Sequence, residues 1–248
     1  MNCLHWLGLG LSLATASYAQ VIVNAGAFEE SRPVAPNSLA VAFGEFAEAT
    51  PATANTLPLP VLLGGVEVLV GGEPAGIYSV SKTQVNFVIP AAVPALRYAK
   101  RFPVVIRTNG GSPAVTAYAL IQDVSPAILV RDAGDALRPA AAFNADLSQN
   151  GAAKPARSGE LITLFLTGDG GRGSQMNGGA VPEIPKPPTV YFHSWPGETI
   201  LSSPAPGQPG LWLVKVRVPQ MTNHSSGATP ITVLFDGVNS NTATVWVQ

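Results

Sequence analysis

The sequence predicts an all-β chain built as two tandem β-sandwiches. Three observations carry that expectation. Helical periodicity is almost absent. Short segments rich in Val, Ile, Leu, Tyr and Phe recur between Gly, Pro, Asn and Asp, as strands between turns should. The later segments also repeat the earlier ones in order.

Taken in order, strands are expected at Ser38–Phe43, Val61–Val70, Gly76–Val80, Gln84–Ile89, Pro103–Arg107 and Ala114–Leu120. A second set is expected at Thr189–His193, Thr199–Leu201, Leu211–Val218, Ile231–Phe235 and Thr242–Val247, preceded by Leu161–Thr167. In Leu211–Val218 the positions Trp212, Val214, Val216 and Val218 point one way, Lys215 and Arg217 the other. One face is therefore buried and one wet. The 23 prolines leave little room for a helix of ordinary length.

The repeat is legible residue by residue. VAPNSLAVAFG (34–44) parallels KPARSGELITLFLTG (154–168), and QVNFVIP (84–90) parallels LVKVRVP (213–219). FPVVIRTNGGSPAVTAYAL (102–120) parallels TPITVLFDGVNSNTATVWV (229–247): a proline-led strand, an Asn-Gly or Asp-Gly turn, then a Ser/Thr-rich strand. Those dipeptides suit hairpins because they accept positive φ. The near-constant offset between copies favours two domains over one barrel. Residues 1–19 form an expected export signal, 20–125 the first sandwich, and 126–248 an inter-domain hairpin with the second sandwich.

The export signal is read from MNCLHWLGLGLSLATASYA, whose apolar run from Leu4 to Ala16 leads to small residues at Ser17 and Ala19. It carries no Lys or Arg, so a buried N-terminal strand or helix is the alternative. Cleavage after Ala19 removes Cys3, the one cysteine, and with it any disulfide or thiolate metal site. The expected location is outside the cell or on its surface, with the periplasm also open. No later stretch reaches the roughly 18 apolar residues of a membrane span. Charged residues make up 12% of the chain, 14 basic against 15 acidic, with no run of like charge. A nucleic-acid partner therefore has nothing to rest on.

PLPVLLGGVEVLVGGEPAGIYSVSKTQVNFVIP (58–90) resembles the signature of a large paralogous family of secreted proteins, abundant in Acidobacteria of the Solibacter type. The likeness includes Gly64-Gly65-Val66 opening a strand, the Gly71-Gly72 turn, and Gln84-Val85-Asn86-Phe87 followed by Pro90. PAAAFNADLSQNG (139–151) is similar to the family's inter-domain hairpin, and GQPGLWLVKVRVP (207–219) and VNSNTATVWVQ (238–248) to its closing strands. The resemblance implies tandem immunoglobulin-like domains of the IPT/TIG kind. It brings no catalytic residues, no cofactor and no established ligand.

Several motifs reduce to turns. Gly168, Gly170 and Gly173 match G-x-G-x-x-G, which cradles a pyrophosphate only where a helix starts within the cluster. Here SQMNGGAVPEIPKPP follows, which cannot be a helix, so a long loop is expected at one end of a sandwich. Asp146, Ser148, Asn150 and Gly151 spell the front of a calcium loop, but Arg157 stands where the bidentate carboxylate belongs. A polar turn explains the same letters. Ser79 and Lys82 match S-x-x-K, but they lie between strands rather than on one helical turn. His193 and His224 have no nearby ligand set.

The aromatics are more open. One of Tyr191 and Phe192 is expected in the core, while the other, with Trp195 beside a Pro-Gly turn, can stack on a sugar or anchor a partner. The alternative has Trp195 capping the core edge. Trp212 and Trp246 are expected in the core. The candidate ligand or partner contacts are Trp195, Tyr191, Asp169 and Arg172. The expected role is a non-catalytic binding or structural module of adhesion type whose partner is a surface protein or a polysaccharide. The alternative is a carbohydrate-binding accessory to a polysaccharide hydrolase. Asp132, Asp135 and Asp146 are the acids a catalytic reading would need to converge.

Overall fold

The computed structural model describes residues 21–109, 115–172, 187–222 and 226–248. The expected export signal with Cys3, Gly173, most of the loop after it, and His224 lie outside the described residues.

The first half forms β1 (Val21–Asn24), β2 (Leu39–Phe43), β3 (Ala52–Thr53), β4 (Leu62–Leu63) and β5 (Val66–Val70). It continues with β6 (Glu73–Pro74), β7 (Gly76–Val80), β8 (Gln84–Val88), β9 (Lys100–Thr108) and β10 (Val115–Ile121). One sheet runs β1-β2-β8-β7-β3, and the other runs β10-β9-β5-β4 with β6 beside β5. Their inner faces share one core that includes Ala40, Ala42, Val66, Val68, Ile77, Val85, Phe87, Val104 and Ile106. Each large side chain so buried stabilises the fold by about 1.5–3 kcal/mol.

The second half forms β11 (Ala127–Ile128), β12 (Ala142–Asn144), β13 (Leu161–Thr167), β14 (Thr189–Phe192) and β15 (Trp195–Pro204). It ends with β16 (Trp212–Arg217), β17 (Gly227–Phe235), β18 (Val238–Asn239) and β19 (Ala243–Val247). These strands make one path, β11-β13-β16-β15-β14-β17-β18, with β12 on β13 and β19 on β17. The path folds into two layers because β15 pairs with β14 through Gly197 and with β16 from Glu198 onward, where a register shift lies between Thr199 and Leu201. A bulge at such a corner lets one strand serve both sheets. Trp212, Val214 and Leu164 from one layer meet Val190, Phe192 and Val233 from the other.

Matched through the repeat, the halves share a strand order. The layers β1-β2-β8-β7 and β10-β9-β5 correspond to β11-β13-β16-β15 and β19-β17-β14. Four strands facing three in this order is the immunoglobulin arrangement. The chain is therefore all-β, two immunoglobulin-like sandwiches in tandem.

Three expectations need correction. The single strand expected at Val61–Val70 is a hairpin, because Gly64 and Gly65 at positive φ turn β4 back onto β5. β15 spans Trp195–Pro204, far more than Thr199–Leu201. Pro196 and Gly197 do not end it, because this part pairs only with the short β14 across a tight turn. Trp246 lies outside the core: Val245 and Val247 fix the inward parity of β19, which turns Trp246 to the outer face. Its ring lies beneath the Arg131 guanidinium, 6.0 Å from ring centroid to Cζ. Trp212 is in the core, with its indole N–H donating to Ser202 Oγ at 2.8 Å.

Candidate functional site

The four residues singled out in the sequence do not form one site. Phe192 faces the core and Tyr191 faces outward, half-buried. Trp195 is 39% exposed and pairs across the turn with Phe192, while Tyr191 pairs with Pro196. Cross-strand partners share a face, so Trp195 and Tyr191 point to opposite sides of their sheet. Asp169 and Arg172 lie at the far end of the sandwich, just past β13. Asp169 is buried and its carboxylate accepts the Gly171 amide at 3.2 Å. Arg172 pairs with Asp236 at 2.6 Å and with Asp123 at 3.6 Å, and it stacks over Phe235.

Asp169 and Arg172 lie at the joint between the sandwiches. Gly168 and Gly170 have φ of 91° and 70°, and a Cβ on either would run into the backbone carbonyl of Ser125 or Asp123. Gly168 and Gly170 thus let the end of β13 pack against the connecting segment 122–126. The nucleotide-like spelling marks a contact between halves of the chain.

That joint combines buried side-chain hydrogen bonds with an apolar contact. The Thr167 hydroxyl accepts the Leu39 amide at 2.7 Å and donates to the Gly210 carbonyl at 2.7 Å. Asn241 accepts the Ile128 amide at 2.7 Å, and its amide group donates to the carbonyls of Ile128 and Gly26 at 3.0 and 3.1 Å. Asn24 accepts the Gly26 amide and donates to the carbonyls of Pro33 and Ser125. The Tyr78 hydroxyl donates to the Pro209 carbonyl at 2.6 Å, and burial pushes its pKa up. Arg138 donates to the Ala27 carbonyl at 2.7 Å, and Arg32 to the Asn239 carbonyl at 3.0 Å. Beside these bonds Leu39, Val41, Val23, Ala25 and Tyr78 form an outer-face cluster of the first sandwich, against which Leu211 of the second packs. That cover explains why β2 is buried on both faces. The sequence hid all of this because the partners lie far apart along the chain.

Of the acids that a catalytic reading would need, Asp132 and Asp135 share one open cleft and Asp146 lies outside it. Asp132 accepts the Gly134 amide, Asp135 the Leu137 amide, and Asp146 the Ser148 amide and hydroxyl, each shaping its own turn. The Ser148 hydroxyl and amide hold the Asp146 carboxyl below its ordinary pKa. Asp132 and Asp135 line an open cleft of about 480 Å³ with Arg131, Gln149, Lys154 and Trp246. Desolvation lowers the Arg131 pKa, and Asp135 opposes that shift. Among the described residues no three His, Cys, Asp or Glu side chains gather as a metal site needs. Ser79 accepts from Asn86 at 2.7 Å on β7, and Lys82 lies exposed in the turn beyond it.

No family model matches the chain, and no curated protein matches it. Among solved structures it is similar to domains 5–6 of the S-layer protein SbsC. That match has 14% identity and a TM-score of 0.30, and covers 93% of this chain and 96% of that one. Titin A168–A169 matches at 12% identity and a TM-score of 0.25, covering 92% and 95%. The tandem Ig repeats of Dlar match at 11% and 0.21, covering 92% and 97%. The fold assignment stands on the strand order itself.

Proposed function

We propose that the chain is an exported, non-catalytic module of adhesion or structural type, in which two immunoglobulin-like sandwiches act as one stiff unit. The buried joint carries this reading. Domains joined in one chain reorient by default, so a fixed angle needs specific contacts across the boundary. Here Thr167, Asn24 and Asn241 each use a buried side chain to hold backbone across or beside the boundary. Leaving such groups unpartnered costs about 1–3 kcal/mol each, so a change of angle is penalised. Such stiffness suits a surface spacer or a scaffold for contacts at its ends. The domain limits 20–125 and 126–248, the IPT/TIG character and membership of the secreted family are part of the same proposal.

Expression of the full chain in a secreting bacterial host tests the export half. The mature protein should leave the cytoplasm with Gln20 at its N terminus, and retention of an uncut chain in the cytoplasm contradicts it. The exposed Trp195 supports a second reading, support of a polysaccharide hydrolase through glycan binding. Loss of glycan retention in Trp195→Ala is its expected signature.

A further inference from the structure

The charges of this chain are few, and most of its arginines are used internally. Arg32, Arg107, Arg138, Arg172 and Arg217 each pair with a carboxylate. Arg97, Lys100 and Arg101 differ: three cations within five residues, all exposed, and among the described residues none has a carboxylate partner. They are interleaved with aromatic rings. Lys100 Nζ lies 5.7 Å from the centre of the Phe102 ring, and Arg101 Cζ lies 5.9 Å from that of Tyr118. Tyr98 is 82% exposed and Tyr118 59%.

The sheet explains how these groups come together. β9 and β10 pair so that Arg101 stands opposite Leu120, and Pro103 opposite Tyr118. Alternation puts these four on the outer face of the sheet, away from the core, whereas Lys100, the first residue of β9 and opposite the buried Ile121, has the other parity. Arg97 and Tyr98 extend the strip on the segment that leads into β9. The carboxylate nearest along the chain path, Asp123, whose amide bonds the Leu96 carbonyl, is already engaged by Arg172.

We infer that this strip on the first sandwich, formed by Arg97, Tyr98, Arg101 and Tyr118 with the exposed Lys100 at its margin, binds an acidic polysaccharide. Uncompensated cations call for an anionic partner, and cation–π contacts hold Lys100 and Arg101 in place before it arrives. Tyrosine rings beside them supply flat apolar faces with a hydroxyl edge, which match the CH faces and hydroxyls of a sugar. A chain bearing carboxylate or sulfate at regular intervals can use several cations of a strip at once. A membrane surface would favour aliphatic side chains for insertion, and a protein partner a desolvated apolar centre. The strip offers mainly rings and cations, with Leu96, 54% exposed beside Arg97, the aliphatic exception. The site goes beyond the proposed function and lies on the other sandwich from Trp195.

Retention of the purified chain on immobilised polygalacturonate and chondroitin sulfate, against neutral dextran, tests the site. The acidic glycans should retain it at about 50 mM salt and release it as screening increases. Combined Arg97→Ala, Lys100→Ala and Arg101→Ala should weaken retention at least about tenfold with the thermal transition unchanged. Tyr98→Ala should weaken it less, and Trp195→Ala not at all. No retention by the wild type, or retention indifferent to the triple substitution, overturns the inference. Stronger binding to phosphatidylserine vesicles or to polyglutamate than to either glycan also overturns it. Purified protein is used, so failure here leaves export and the joint untouched.

Discussion

The two sandwiches share a core pattern and differ at the edge of the last strand. In the first, the outer edge of β10 is held near its end, where Val34 bridges Ile121 and exchanges bonds with Leu120 and Gln122. In the second, β19 is closed on both sides. β17 flanks one side, and on the other Arg138, Ala140 and Ala156 exchange bonds with Thr244, Trp246 and Gln248. Asn150 completes the seal by accepting the Trp246 amide at 2.7 Å and donating to its carbonyl at 3.0 Å. The hairpin around β12 supplies this closure and has no counterpart in the first copy. The repeat therefore fixes the core, while inserted segments decide which edges stay open and where the halves meet.

The largest effects should come from what the copies share. Trp212→Ala and Phe87→Ala each empty the centre of one sandwich and should cost about 3–5 kcal/mol in chemical denaturation. If the joint couples the halves, either change should weaken both, seen as loss of amide protection in the unsubstituted sandwich as well.

Next come the features that separate the halves. Asn241→Ala leaves the Ile128 and Gly26 peptide groups unpartnered and should cost about 2–3 kcal/mol in denaturant unfolding. Asn150→Ala should cost about 1–2 kcal/mol, because water reaches part of its surroundings. Faster amide exchange at Trp246 would show the second edge opening toward the state of the first.

Surface terms are smaller. Arg172→Ala should cost at most about 1 kcal/mol, and the loss should shrink in high salt, because the group is partly exposed. Smallest is the turn at Asp146. Its depressed folded pKa means that its contribution is present above the unfolded carboxylate pKa and fades as pH falls through the folded value. Ser148→Ala should raise the Asp146 pKa toward the ordinary range in an NMR titration, and an unchanged value contradicts the hydrogen-bond cause.

What the sequence made legible follows from locality. Alternation in Leu161–Thr167 and Leu211–Val218 located strands and their inward faces, and the Asp236-Gly237 turn joins β17 to β18 with both residues at positive φ. The polar turn at Asp146 could also be read from its own letters. Trp246 was misplaced by treating size as burial, although the parity of Val245 and Val247 already turned it outward. β1 went unread because Val21, Ile22 and Val23, one residue past the expected leader, look like its continuation. The joint was illegible in principle: Asn241 and Gly26, or Thr167 and Leu39, meet only once both sandwiches have formed. The cationic strip escaped for the same reason, since only the β9–β10 register brings Tyr118 beside Arg101.

The central claim is that the sandwiches behave as one body, held by Thr167, Asn24 and Asn241. Residual dipolar couplings measured on the mature chain test it most directly. Backbone amides of both sandwiches should fit a single alignment tensor of common magnitude and orientation, and Thr167→Val should begin to split it. Two tensors of different magnitude in the wild-type chain would show independent motion and contradict the account.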